Sequence, residues 1–301
     1  MQLTLRDIHK SFGEKQVLKG LSFTAEGGKA FGLLGRNGAG KTTTIRILMQ
    51  VFPADKGEVL IDGKPMASCK VGTGYLPEER GLYPKKKIID QLVYLAALKG
   101  MSYRAATKAV DWWLERLGMS ETRNKRLDTL SKGNQQKIQL ITALAHDPDI
   151  VVLDEPFSGL DPVNAMLLKD VVKEQIEKGK IVLFSSHQMN YIEEFCDHIA
   201  ILHRGEAVLQ GDLREIKRKY PRDRLVVRSP QQEQILRDWR EKAPLGVTVT
   251  QGEDGALLLK LAHPEEKQAV MQQLSARYEL DEVKVFEPSL NDIFVEYAGQ
   301  E

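Results

Sequence analysis

Cysteine is scarce: Cys69 and Cys196 are the two in 301 residues. That is too few for a disulfide framework and fits a reducing compartment. Cys196 stands near His198 and His203, but the spacing matches no zinc pattern, and no metal ligand is expected there. Long apolar runs are missing as well. Runs such as Ile150–Leu153 and Ile181–Phe184 are strand-sized, and none approaches the roughly 20 apolar residues of a membrane-spanning helix. A chain of this kind that works at a membrane docks there. Residues 1–10 carry Arg6, Asp7 and Lys10 among alternating apolar positions and lack the apolar centre of a secretory signal. Nor does charge of one sign dominate: 43 Lys and Arg stand against 42 Asp and Glu, for a net charge of +1. This balance argues against a polyanion-binding surface spread over the whole molecule, so no nucleic acid partner is expected. What is present is ordinary for a folded chain, with 42 % hydrophobic and 28 % charged residues. A chain of this length buries roughly three quarters of its unfolded surface and usually divides into about two domains.

The order of elements follows from periodicity. Leu3 and Leu5 alternate with polar neighbours, and Val17–Phe23 follows a turn at Gly13, which predicts a small antiparallel layer. Ala30–Leu34 is an apolar strand ending at Gly35, followed by a Gly-rich turn and a helix from Lys41 to about Gln50 that stops before Pro53. Val59–Ile61 and Asp62-Gly63 predict a further hairpin. From Ile88 the period becomes helical, with Ile88, Leu92 and Leu95 on one stripe and a second helix after Ser102 carrying Trp113 and Leu117. Trp112 and Trp113 read as core aromatics and Lys85–Lys87 as a solvated charge run.

Ile150–Leu153 and Ile181–Phe184 are continuous apolar runs, the pattern of strands buried on both faces of a parallel sheet. Asp161 as N-cap, Pro162 as first helical residue and Lys178-Gly179 as the stop place a helix between them, a right-handed βαβ unit. Residues 214–224, with Lys217, Arg218, Lys219, Arg222 and Arg224 around Pro221, read as a basic linker. Beyond it come a strand (225–228), a helix (231–241), a hairpin (247–261, turning at 252–255), a helix (264–276) and a strand (282–286). That order is βαββαβ, the ferredoxin-like pattern. A last helix covers 289–297. No repeat at a solenoid period occurs.

Chemistry concentrates at strand ends. Gly35, Arg36, Asn37, Gly38, Ala39, Gly40, Lys41 and Thr42 spell GRNGAGKT, a full match to the phosphate-loop pattern between strand and helix. Its backbone N–H groups and the helix N-terminus suit phosphate oxygens. Lys41 is expected to reach the β and γ phosphates, Thr42 to place its hydroxyl on Mg²⁺, and Thr43 to add a phosphate contact. The other two buried strands end in Asp154-Glu155 and in Ser185-Ser186-His187, and ligands of open α/β sheets bind at carboxyl ends of strands. One carboxylate of such a pair can hold the metal while the next polarises the attacking water. Asp154 is assigned to the metal, Glu155 to the water, and His187 to the γ-phosphate.

Three further segments carry a family resemblance. Leu130–Gln136 reads LSKGNQQ, Phe157–Pro162 reads FSGLDP and Phe184–His187 reads FSSH. In that order they resemble the signature, D-loop and switch histidine of the ATP-binding cassette (ABC) proteins, over residues 1 to about 213. Ser131 would cap the signature helix and leave N–H groups free beside Gly133 for an anion. The resemblance implies a head-to-tail homodimer in which each ATP lies between one subunit's phosphate loop and the other's signature, with Asp161 in the D-loop at the site. ATP and Mg²⁺ are the ligands implied. Lys132 and Asn134 depart from the family's signature. In GYLPEER (74–80), Glu78 stands where the family has a glutamine; a carboxylate there can still ligate Mg²⁺. Phe12 occupies the place of the aromatic residue that stacks on adenine.

The ending PSLNDIFVEY (288–297) resembles the close of ABC-2 type export cassettes, among them sodium-extrusion and drug or peptide exporters. The fold expected is therefore an α/β P-loop ABC ATPase core over 1–213, with a helical subdomain at about 85–145, a linker at 214–224 and an α+β ferredoxin-like accessory domain over 225–301. The function implied is the ATPase subunit of an exporter at the cytoplasmic face of the cell membrane, acting on separately encoded integral-membrane permease subunits. The alternative is a soluble cassette ATPase of chromosomes or ribosomes. Chromosome types need a long coiled coil between phosphate loop and signature, where this chain has one short helical insertion, and ribosome types usually carry two cassettes.

Overall fold

The computed structural model describes residues 1–79, 81–241, 246–252 and 255–298. They form two compact units, Met1–Leu213 with Leu290–Glu301, and Arg214–Ser289.

The first unit begins with β1 (Gln2–Phe12) and β2 (Lys15–Glu26), then β3 (Ala30–Gly35), α1 (Lys41–Leu48), β4 (Lys56–Ile61), β5 (Lys64–Pro65) and β6 (Thr73–Leu76). The helical insertion follows as α2 (Ile88–Leu98), α3 (Tyr103–Arg116) and α4 (Lys132–Leu144). The alternating part is β7 (Ile150–Asp154), α5 (Pro162–Glu177), β8 (Ile181–Ser186), α6 (Met189–Phe195), β9 (His198–His203) and β10 (Glu206–Asp212).

Two sheets result. One is antiparallel, in the order β2-β1-β4-β5, and the other is six-stranded, in the order β10-β9-β3-β8-β7-β6. All but the β10–β9 pair of the larger sheet are parallel. Every residue of β3, β7 and β8 is buried, which is why these strands read as unbroken apolar runs rather than as alternations. Leu3, Leu5, Leu21 and Phe23 of the small sheet pack with Phe31, Leu33, Val152 and Leu183 of the large one in a single core.

Register then decides where the chemistry sits. Leu34 pairs with Ser186, and Asp154 with Ser185, so the carboxyl ends of β3, β7 and β8 lie level on one edge. In the insertion, Ser102 caps α3 by accepting from the Ala105 N–H at 3.2 Å. Trp113 is buried in that subdomain, whereas Trp112, expected in the core, is 49 % exposed.

The second unit contains α7 (Leu213–Lys219, whose first residue belongs to the first unit), β11 (Arg224–Arg228), α8 (Gln232–Glu241), β12 (Thr248–Gln251), β13 (Leu257–Lys260), α9 (Lys267–Arg277) and β14 (Glu282–Val285). Its antiparallel sheet runs β12-β13-β11-β14, the strand order of a ferredoxin-like βαββαβ fold around a core of Leu225, Val227, Trp239, Leu259 and Leu274. Positions 253 and 254 of the expected hairpin turn, and 299–301 at the chain end, lie outside the described residues.

Two differences from the expected division follow. The basic stretch at 214–224 is not wholly a linker: residues 214–219 lie in α7, with Ile216 buried and four cations on its remaining surface, residues 220–223 connect, and Arg224 opens β11. The closing helix, α10 (Leu290–Ala298), does not belong to the accessory domain. It packs on α6, β9 and β10 of the first unit, burying Leu290, Ile293 and Ala298 completely. That i, i+3, i+8 stripe is what a helix laid on a sheet edge requires.

Candidate active site

The turn from β3 into α1 wraps a cavity of 510 Å³. Gly40 immediately precedes α1 with φ +112, and a Cβ there would lie 2.6 Å from Leu18 Cδ2. Only glycine fits, because both the backbone angle and the space forbid a side chain. Arg36, Asn37 and Gly38 are exposed at the cavity rim; Ala39 is buried behind them, its N–H donating to the Arg36 carbonyl at 3.1 Å. The Lys41 ammonium donates to the Gly35 carbonyl at 2.6 Å and to the Arg36 carbonyl at 3.4 Å. Burial pushes this ammonium below its ordinary value, against the pull of the Glu155, Asp154 and Glu78 carboxylates. A desolvated cation facing a concave, N–H-lined loop is an arrangement for an anion with several oxygens. Thr42 and Thr43 line the same cavity.

Opposite the loop stand the ends of β7 and β8. Asp154 is 3 % exposed, and burial, reinforced by Glu78 and Glu155, holds its carboxyl above the ordinary range. The Tyr75 hydroxyl donates to it at 3.4 Å. Glu155, 5 % exposed with φ +48, accepts three hydrogen bonds. Ser186 Oγ donates to Oε2 at 2.8 Å, while the His187 backbone N–H and ring Nδ1 donate to Oε1 at 2.8 and 2.6 Å. The histidine ring itself is 62 % exposed and lines the cavity. A carboxylate thus orients the imidazole, leaving Nε2 for a ligand.

Sequence reasoning did not reveal this Glu155–His187 bond. It also missed Gln139, a fully enclosed amide on α4 that donates to the Pro77 and Glu79 carbonyls at 3.2 and 3.1 Å. That clamp fixes the backbone on both sides of Glu78, which lines the cavity. Arg80, the last residue of the GYLPEER motif, lies outside the described residues.

Five of the expected residues are not among those lining the cavity: Ala39, buried behind the rim, and Phe12, Ser131, Gly133 and Asp161. Phe12, at the end of β1, is half exposed and meets Phe52 edge-on at 5.5 Å, with the Lys10 ammonium 5.6 Å from its ring. Ser131, Gly133 and Asp161 form a separate surface. Ser131 caps α4, accepting from the Asn134 N–H at 3.4 Å, and Asp161 caps α5, accepting from the Asn164 N–H at 3.0 Å. The N–H groups holding Asp161 depress its pKa. A Cβ on Gly133 would stand 2.9 Å from the Asn164 amide, so Asn164, another residue not singled out from the sequence, joins the two caps. Behind them Phe157 stacks on Tyr191 at 4.2 Å and on Phe195 at 5.7 Å, contacts of about 0.5–1.5 kcal/mol each. The FSGLDP segment is thereby tied to α6, the helix that starts two residues after His187.

The cavity's donor set suits a Mg²⁺–triphosphate. Its carboxylates and hydroxyls are hard oxygen ligands, the ammonium and loop N–H groups are anion donors, and the space at Gly40 is one a Cβ would fill. Among the described residues no three His, Cys, Asp or Glu side chains converge to hold a metal by themselves, so Mg²⁺ here would take its remaining oxygens from phosphate and water.

Known proteins share this organisation. A family model described as ABC transporter matches residues 18–158, and another, described as the C-terminal domain of DrrA1-3-like ATP-binding proteins, matches 211–298. The ABC transporter ATP-binding protein YhaQ of Bacillus subtilis (strain 168) is 42 % identical over 306 residues, covering 99 % of this chain and 98 % of that protein. The linearmycin resistance ATP-binding protein LnrL of the same organism is 35 % identical over 213 residues, 69 % of this chain and 68 % of that protein. A solved structure of an ATP-binding subunit of an ABC transporter superposes with TM-score 0.67 at 29 % identity, covering 73 % of this chain and 93 % of that one.

Proposed function

This chain belongs to the ATP-binding proteins of ABC transporters, and from that premise we propose that it is the ATP-hydrolysing subunit of an exporter, working as a head-to-tail homodimer beneath a separately encoded membrane permease. The observation that carries the shared-site reading is a separation. The phosphate loop, Asp154, Glu155 and His187 line one cavity, while Ser131, Gly133 and Asp161 lie outside it. A second anion cradle on the same chain, not lining the first, calls for a partner copy to bring it to the nucleotide. Among the described residues no helix is long and apolar enough to cross a membrane, which fits a subunit that docks on a permease at the cytoplasmic face. Outward transport is favoured by the match to a relative named for linearmycin resistance.

In this reading the loop N–H groups and Lys41 hold the β and γ phosphates, and Thr42, Asp154 and Glu78 hold Mg²⁺, which supplies charge neutralisation at the phosphates. Glu155 takes the proton of the water whose oxygen bonds to the γ-phosphorus as the bond to the β-phosphate oxygen breaks. His187, its Nδ1–H held by Glu155, donates to a γ-phosphate oxygen as the imidazolium, in which Nε2 also carries a proton. Phe12, at the end of β1, is proposed to stack on adenine.

Ser131→Arg and Lys41→Ala test the shared site together. Lys41→Ala should abolish ATP binding by the isolated chain. Ser131→Arg should leave that binding within about twofold yet lower turnover by about a hundredfold or more and remove the ATP-dependent dimer, since loss of one positioned donor or of dimer closure costs at least this much. If Ser131→Arg turned over ATP normally, or lost binding as Lys41→Ala does, the two-chain site would be wrong. Co-purification from detergent extracts, with the recovered protein identified by mass, tests the permease.

A further inference from the structure

The same cavity has a wall that no phosphate-loop reasoning supplies. Asn291 and Phe294, one helical turn apart on α10, line it together with Met189 and His187. Both belong to the first compact unit although nearly eighty residues of a different unit precede them in the chain. The helix is anchored where this matters. Its buried stripe of Leu290, Ile293 and Ala298 faces the body of the unit, and the Glu193 carboxylate on α6 accepts from the Leu290 N–H at 2.9 Å, capping the start of α10. Since α6 begins two residues beyond His187, this cap fixes α10 to the switch-histidine side of the cavity. Asn291 is exposed and Phe294 half-buried, so neither is consumed by packing against the core.

We infer that α10 is part of the nucleotide site: Asn291 donates its side-chain amide to a phosphate oxygen of bound ATP, and Phe294 with Met189 closes the apolar side of the cavity. The inference rests on the cavity being the ATP site. It gives the end of the chain a role in nucleotide affinity, because the ligand then touches a helix that the accessory unit leads into along the chain.

The test exploits a sign difference. Asn291 sits in the first turn of α10, where an acidic side chain is neutral or favourable for the helix, but a carboxylate aimed at a triphosphate is repelled. In a Glu155→Gln background, which keeps ATP intact during titration, Asn291→Asp should weaken ATP binding by about tenfold and ADP binding less, with no loss in Tm. Asn291→Lys should strengthen ATP binding severalfold, and Phe294→Ala should weaken both nucleotides by a few fold. Val295→Ala, on the solvent side at 58 % exposure, should change nothing. Calorimetric titrations with ATP and with ADP read all of these. If Asn291→Asp, Asn291→Lys and Phe294→Ala all bind ATP within twofold of the parent while Lys41→Ala does not bind it, α10 is outside the site and the inference falls. If Lys41→Ala also binds normally, it is the ATP-site reading that has failed.

Discussion

Glu155→Gln exposes the assumed division of labour in the cavity. The wild-type carboxylate accepts from Ser186 Oγ, the His187 N–H and His187 Nδ1 at 2.6–2.8 Å. Glutamine has the same shape, and its carbonyl oxygen can keep the His187 side while its amide donates to the Ser186 hydroxyl, which can rotate to accept. What is lost is charge assistance to those bonds, about 1–2 kcal/mol of fold stability. What is lost in the reaction is the proton acceptor, a contribution of about 10²–10⁴ in rate, or roughly 2.7–5.4 kcal/mol of barrier. ATP binding should hold or tighten, because one of three carboxylates facing the phosphates becomes neutral. Phosphate release under saturating ATP measures the rate, calorimetry the affinity, and size-exclusion chromatography the accumulation of an ATP-bound dimer. Since the histidine is bonded to the same oxygen, Glu155→Gln with His187→Ala should cost little more than the worse single change. Turnover within about threefold of wild type in Glu155→Gln, or fully additive losses in the double variant, would refute the assignment.

Gly40→Ala should disturb fold and binding together. With φ +112 and a Cβ that would meet Leu18 Cδ2 at 2.6 Å, the strain is about 1–3 kcal/mol, visible as a lower urea midpoint and a raised KM for ATP; an unchanged midpoint would show that the loop relaxes freely. His146 governs part of the acid limb of stability. Its Nε2 donates to the Thr73 carbonyl at 3.0 Å, and burial, with the Lys99 and Lys180 charges, holds its pKa below the ordinary 6.5. The folded state therefore binds fewer protons than the unfolded one. This contribution is complete above about pH 6.5 and is lost as pH falls through the lowered folded value. His146→Gln should flatten the fall in Tm between pH 7 and 5, and an unaltered slope would remove this histidine from the account.

Local pattern carried much of the architecture because it reports burial. Strands closed on both faces show unbroken apolar runs, as β7 and β8 do, and helix boundaries follow caps, as Asp161-Pro162 and Lys178-Gly179 do around α5. The phosphate loop was legible for the same reason: its glycines and lysine fall within one short segment, Gly35 to Lys41, so their chemistry depends on one turn. Trp112 misled because an i, i+3 or i+4 stripe cannot distinguish adjacent tryptophans at its border. The basic run at 214–224 misled because cations on the exposed face of a short helix look like a linker.

By itself, then, the sequence determined which segments are strands and helices, where the phosphate loop lies and that a βαββαβ succession of elements follows residue 224, since each depends on neighbours within about twenty residues. Strand order and register were decided only in three dimensions. They set Leu34 beside Ser186 and Asp154 beside Ser185, and the turns at those strand ends brought Glu155 onto His187. They also brought Gln139 under the backbone around Glu78 and α10 back to the cavity after a whole intervening unit. Pairings across 30 to more than 200 residues leave no local periodicity, because what selects them is the packing of faces that the chain brings together only on folding.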